Sequence, residues 1–212
     1  MAITLRRAAP LAASLAMLLM LPAAACAQGD YASDAARLVS ALELEPGDTV
    51  ADVGAGGGEL AIELARVVGP SGLVYATELS DDRLAELRRA AANAELRNVT
   101  VLEAHATRTN LPERCCDALV LRRVYHHIGD PGRMNASLLA SLKPGGRLGI
   151  IDFDPDSAES ADPGGRAEGN RHGVTSATVA RELRGAGFEV VTVEAGQGNE
   201  RYLLVARRPS PP

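Results

Sequence analysis

Apolar and polar residues fall along the chain in two kinds of block. Thr49 to Val53, Leu73 to Thr77, Val99 to Ala104, Asp117 to Leu121 and Arg147 to Phe153 are short and largely apolar, as buried strands are. Between them apolar residues recur at helical spacing. Tyr31 to Leu44 places Ala35, Leu38, Val39 and Leu42 on one face, and Glu59 to Val68 does the same with Leu60, Leu64, Val67 and Val68. Asp81 to Ala94 predicts a third helix, with Ser80 as its cap and Asp81 and Asp82 suited to the positive helix start. Met134 to Leu142 predicts a fourth, ended by Lys143-Pro144-Gly145-Gly146. Asp154 to Gly173 is polar and rich in Gly, Asp and Pro, and reads as a long mobile loop. Thr178 to Ala186 is helical with Gly187 closing it. Phe188 to Val193 and Arg201 to Ala206 then form a hairpin around a turn at Gly196 to Asn199, before a frayed tail at Pro209 to Pro212.

Strands alternating with helices predict one α/β domain over residues 28–208: a doubly wound, seven-stranded sheet, mostly parallel, with a C-terminal antiparallel hairpin. Such sheets bind ligands at the carboxyl ends of their strands, where the strand order reverses.

The N-terminal block is different. Arg6 and Arg7 precede an apolar stretch from Ala8 to Leu21, followed by Pro22 and small residues up to Ala27. That is the order of a secretory signal peptide, so residues 1–27 are expected to be an export segment outside the fold. Cleavage after Ala27 leaves Gln28 first. Cleavage after Ala25 leaves Cys26 as a lipid attachment site and the only expected contact with a membrane. The chain is thus expected to be periplasmic, or membrane-anchored as a lipoprotein if Cys26 is lipidated.

Charge narrows the ligand. The net charge is −5 and aromatics are 3% with no Trp, which argues against nucleic acid as a partner. Cys115 and Cys116 are adjacent, a spacing at which a comfortable disulfide is rare, and are read as two half-buried thiols before a strand. No Asp, Glu, His or Cys spacing supports a metal site.

The most informative string is Asp52-Val53-Gly54-Ala55-Gly56-Gly57-Gly58, directly after the first strand. Glycines there permit a tight turn and close backbone approach to a ligand. A dinucleotide fingerprint would need glycine at the position of Glu59, and a phosphate loop would need a lysine. Asp52 and Glu59 would oppose a pyrophosphate, so the loop suits a ligand with a cationic part. Glu78, ending the second strand, can accept two hydrogen bonds from a ribose diol.

With these strings the chain resembles the class I S-adenosylmethionine-dependent methyltransferases. The resemblance spans about Asp34 to Arg207. It includes Glu78-Leu79-Ser80, Leu111-Pro112 ahead of Asp117 to Leu121, Leu142-Lys143-Pro144-Gly145-Gly146-Arg147-Leu148, and Gly187-Phe188. It implies a Rossmann-like fold and S-adenosyl-L-methionine as cofactor. The implied cofactor site is Asp52, Gly54, Ala55, Gly56, Gly58, Glu78, Leu79, His105, Ala106 and Arg122. Ala104-His105-Ala106 departs from the family's frequent Gly-Asp-Ala, so His105 stands where an Asp holds the adenine amino group.

The segment Arg122-Arg123-Val124-Tyr125-His126-His127-Ile128 would lie beside the sulfonium. His126, and next to it His127, are the candidate bases toward a small-molecule methyl acceptor, with Tyr125 orienting the imidazole and Asp152 at the pocket rim positioning substrate. His172 in the long loop is a weaker candidate. Two other readings compete: a methyltransferase fold that binds the cofactor without turnover, and a nicotinamide-dependent oxidoreductase.

Overall fold

The computed structural model describes residues 24–167, 173–196 and 201–211. The export segment up to residue 23, His172 and most of the turn expected at Gly196 to Asn199 lie outside the described residues.

The elements follow in the order α1 (Ala24–Leu42), β1 (Thr49–Val53), α2 (Glu59–Val68), β2 (Leu73–Glu78), α3 (Asp81–Asn93), β3 (Val99–Glu103) and β4 (Cys116–Arg122). A 3-10 turn (Tyr125–His127), α4 (Pro131–Ser141), β5 (Leu142–Asp152), α5 (Pro163–Ala167), α6 (Ser176–Gly185), β6 (Glu189–Glu194) and β7 (Tyr202–Arg207) complete the chain. The strands form one sheet in the order β3-β2-β1-β4-β5-β7-β6. The first five are parallel, and β7 runs antiparallel to both β5 and β6. Strand order reverses between β1 and β4, which opens a crevice beyond their carboxyl ends.

Because successive strand residues point to opposite faces, each central strand feeds two cores. Val50, Val74, Ala76, Ala118 and Val120 pack on one face with Leu38 and Leu42 of α1 and Leu60, Leu64 and Val68 of α2. Ala51, Val53, Leu119, Leu121, Leu148 and Ile150 pack on the other with Leu138 of α4 and Val179 and Leu183 of α6. Burial on both faces explains the continuous apolar runs.

Several boundaries differ from expectation. Helix α1 starts at Ala24, before the expected Tyr31. Helix α4 starts at Pro131, because the Asp130 side chain accepts from the N–H of Arg133 at 3.1 Å and Pro131 fits the first helical position. Strand β5 begins at Leu142, ahead of the expected Arg147. Leu142 pairs with Cys116, and the register shifts before Arg147 pairs with Ala118.

Two expectations are corrected. Cys115 and Cys116 are joined as a disulfide between neighbours rather than being free thiols. The stretch after β5, in its described part up to Ala167, carries the short helix α5 and is tied to α6 through Glu159 and Arg166. The buried Arg166 donates to Glu182 Oε1 at 2.9 Å and stands 3.6 Å from Glu159. Glu159 in turn accepts from the hydroxyls of Thr175 (3.0 Å) and Thr178 (2.9 Å).

Candidate active site

The glycine turn after β1 is folded back onto β2. The N–H groups of Gly54 and Ala55 both donate to the carbonyl of Thr77, each at 3.0 Å. Gly54 has φ +76°, and a Cβ on it would stand 2.6 Å from Val124. Only glycine satisfies both the backbone angle and that approach. Gly56 has φ +57° and nothing within 4 Å of a built Cβ, so its open side faces the crevice.

Glu78 closes the turn from the end of β2. Its Oε1 accepts from Gly56 N–H (2.9 Å) and its Oε2 from Leu79 N–H (2.8 Å). Two backbone donors therefore orient the carboxylate while each oxygen keeps a second acceptor direction.

Asp52 lies on the same sheet face, buried, with its Oδ2 lacking any hydrogen-bond partner. Burial is the main cause that raises its pKa to about 7; the charge of Glu78 adds to it and that of Arg122 opposes it. Arg122 ends β4 on this face too. Its Nε donates to the buried Asp34 of α1 at 2.6 Å, and its guanidinium sits 4.0 Å above the Tyr31 ring.

These groups line a cavity of about 450 Å³, within the usual range for small-molecule sites. Of the expected cofactor residues, Asp52, Gly54, Ala55, Gly56, Glu78, Leu79, His105, Ala106 and Arg122 all line it. Gly58 does not. With φ +96° it precedes the first turn of α2, and a Cβ there would press on Leu87 of α3. Tyr31, Leu60, Arg123, Val124, Ile128 and Met134 also line the cavity. The placement of Tyr31 depends on α1 folding back over the β4 end, for which the sequence carries no local signal.

The histidine pair lines the same cavity from the turn after β4, a second wall. His126 and His127 both line the cavity, with ring centroids 3.9 Å apart. His126 is buried, and its Nδ1 lies 2.8 Å from Asp152 Oδ1. A carboxylate accepts, so Nδ1 is the donor in this contact. Asp152 also accepts from the N–H groups of His126 (3.1 Å) and Phe153 (3.0 Å).

Two expectations about this wall change. Asp152 is fully buried behind His126, not at the rim, because strand alternation puts it on the α4/α6 face. Tyr125 does not orient the imidazole. Its side chain enters the core, where its hydroxyl donates to Glu182 Oε2 (3.1 Å) and accepts from Asn135 (2.7 Å). Burial pushes its pKa well up, so it is a neutral structural phenol.

The donor set fits S-adenosylmethionine: a fixed carboxylate for a diol, a buried carboxylate oxygen without a partner (Asp52 Oδ2) for an ammonium, and a Cβ-free cradle at Gly56. The comparisons agree. Residues 50–146 match the family model described as a methyltransferase domain. An uncharacterized 37.1 kDa protein in transposon TN4556 of Streptomyces fradiae is 31% identical, over 76% of this chain and 50% of its own length. The ubiquinone/menaquinone biosynthesis C-methyltransferase UbiE of Marinomonas sp. (strain MWYL1) is 29% identical, over 57% of this chain and 49% of its own. The chain thus spans about half the length of the curated relatives it matches. A SAM-dependent methyltransferase structure from Aquifex aeolicus superposes with TM-score 0.70 at 24% identity, covering 82% of this chain and 89% of that one. A possible exported protein from Bordetella parapertussis superposes at 0.64 with 21% identity, over 96% of this chain and 76% of its own.

Residues 50–146 thus carry a methyltransferase domain, and the fold is that of S-adenosylmethionine-dependent methyltransferases, whose cofactor is S-adenosyl-L-methionine.

Proposed function

We propose that this chain transfers the methyl group of S-adenosylmethionine to a small-molecule acceptor. The observation that carries the proposal is the unpartnered, buried Oδ2 of Asp52 beside the Glu78-braced glycine turn. An ionisable group left unsatisfied in a cavity wall is expensive unless a ligand satisfies it.

The cofactor supplies a methyl group already activated on a sulfonium. Around it, Glu78 would accept from the ribose hydroxyls, Asp52 would face the ammonium, and the backbone at Gly54 and Gly56 would admit close approach. Arg122, fixed by Asp34 and Tyr31, holds the carboxylate end of the ligand. Leu79, His105 and Ala106 border the adenine.

On the second wall, Asp152 holds His126 through its Nδ1. His126 would take the proton that the acceptor's O, N or S loses as it bonds the methyl carbon, while the sulfonium S–CH3 bond breaks and its electron pair stays on sulfur as a neutral thioether. His127 packs on that ring and bounds the acceptor space. Most of the rate then comes from alignment of acceptor and methyl group, since the methyl group needs no further activation.

In the same proposal residues 1–27 export the chain to the periplasm, with cleavage after Ala25 or Ala27, the first leaving a lipidated Cys26. The three-part pattern of Arg6-Arg7, apolar stretch and small residues supports this, as does the likeness to a possible exported protein. Intact mass of the protein from native cell fractions reads the cleavage point; an uncleaved chain overturns export by this signal.

The activity is tested by incubating the full chain with methyl-labelled S-adenosylmethionine and a panel of small O, N and S acceptors. Label transfer that disappears in His126→Ala is expected. Cofactor binding without transfer to any acceptor would instead favour a binding protein.

A further inference from the structure

The two arginines lining the cavity are in opposite electrostatic situations. Arg122 is side-on to Asp34 at 2.6 Å and is buried with it. Arg123 is exposed and makes no ion pair with a carboxylate among the described residues, although it lines the same cavity. Its guanidinium stands 5.7 Å from the Phe153 ring centroid. That ring in turn packs 4.9 Å from the ring of His126.

The backbone is arranged to keep Arg123 there. Leu119 and Leu121 point into the α4/α6 core, so continued strand geometry would send residue 123 into the same apolar face. Instead Arg123 takes φ +57°, uphill for a residue with a side chain, while its N–H donates to the Ile151 carbonyl at 2.7 Å. The turn lifts the guanidinium out of the core and leaves it at the cavity wall. The two cavity carboxylates, Asp52 and Glu78, stand at the ends of β1 and β2, whereas Arg123, Ile128 and Met134 all follow β4.

We propose that Arg123 is the specificity residue of the acceptor subsite, selecting acceptors that join an apolar body to an anionic group such as a carboxylate. This rests on the methyl-transfer reading of the cavity. The apolar body lies against Ile128 and Met134, which line the cavity. The anion takes the guanidinium fork, which matches a carboxylate with two parallel hydrogen bonds.

The test uses the full chain saturated with S-adenosylhomocysteine, with benzoate and its neutral isostere benzamide as probes, followed by calorimetry or ligand-observed NMR. Benzoate is expected to bind about tenfold or more tightly than benzamide. Arg123→Gln should abolish that preference and Arg123→Lys keep part of it, with S-adenosylhomocysteine affinity in each variant reporting an intact cofactor half. Equal binding of the two probes, binding of neither, or a preference that survives Arg123→Gln overturns the assignment. Failure of S-adenosylhomocysteine to bind the unsubstituted chain overturns the methyl-transfer reading instead.

Discussion

The two walls of the cavity are built by different means. The cofactor wall is a local construction: one strand, five residues of turn and the end of the neighbouring strand, held by backbone hydrogen bonds from Gly54, Ala55, Gly56 and Leu79. It leaves the buried Oδ2 of Asp52 without a hydrogen-bond partner. The acceptor wall is assembled from distant segments, with His126 from the 3-10 turn and Asp152 from the end of β5. Behind it Tyr125, Asn135, Glu182 and Arg166 form a core network. One wall waits for charge from a ligand; the other is already paired. Substitutions should therefore separate cofactor affinity from turnover.

The largest separation is expected at His126. His126→Ala should lower kcat about 10²–10⁴-fold, the usual weight of a positioned base, while cofactor affinity by calorimetry stays nearly constant. Equal losses in both would erase the distinction between the walls.

Glu78→Ala should do the reverse. Loss of the ribose hydrogen bonds should weaken the cofactor by about 1–3 kcal/mol in a titration, with kcat at saturating cofactor retained. Unchanged affinity would mean that Glu78 only braces the turn.

A smaller effect comes from pH. Asp52, raised to about 7, is mostly neutral below that pH in the free protein and must ionise to meet an ammonium. Cofactor affinity should rise with pH up to about 7, by at most about tenfold per unit, and level off above it. Asp52→Asn should flatten the profile. The free fold should show the opposite sign. A folded pKa above the unfolded one favours the fold at low pH, so this contribution is lost between about pH 4 and about pH 7. Denaturant melts across that range read it.

The smallest effect on function is expected behind the acceptor wall. Tyr125→Phe leaves Glu182 and Asn135 short of a partner and should cost about 1–3 kcal/mol in denaturant unfolding, with cofactor affinity unchanged.

This contrast also decides what could be read from the chain alone. The strands and the glycine turn were legible because apolar periodicity and the run Gly54 to Gly58 act within a few residues, and Glu78 was legible as the end of the next strand. Asp130-Pro131 was a readable helix start that the apolar spacing around Met134 obscured. The pairing of Asp152 with His126 was not legible, since it depends on β4 and β5 ending side by side with known facing. Nor was the direction of Tyr125, because a Tyr beside two His reads as site chemistry until Glu182 and Asn135 are seen to take its hydroxyl. The anchoring of the described part of the stretch after β5 turns on Glu159 and Arg166 among Gly, Asp and Pro, a composition that otherwise signals a free loop.

The most direct measurement is a calorimetric titration of the full chain with S-adenosylhomocysteine below pH about 7, repeated in buffers of different ionisation enthalpy. Asp52 with a pKa near 7 predicts binding coupled to release of a proton, and loss of that release in Asp52→Asn. Absence of binding, or binding with the same proton count in both proteins, would contradict a cofactor seated against Asp52.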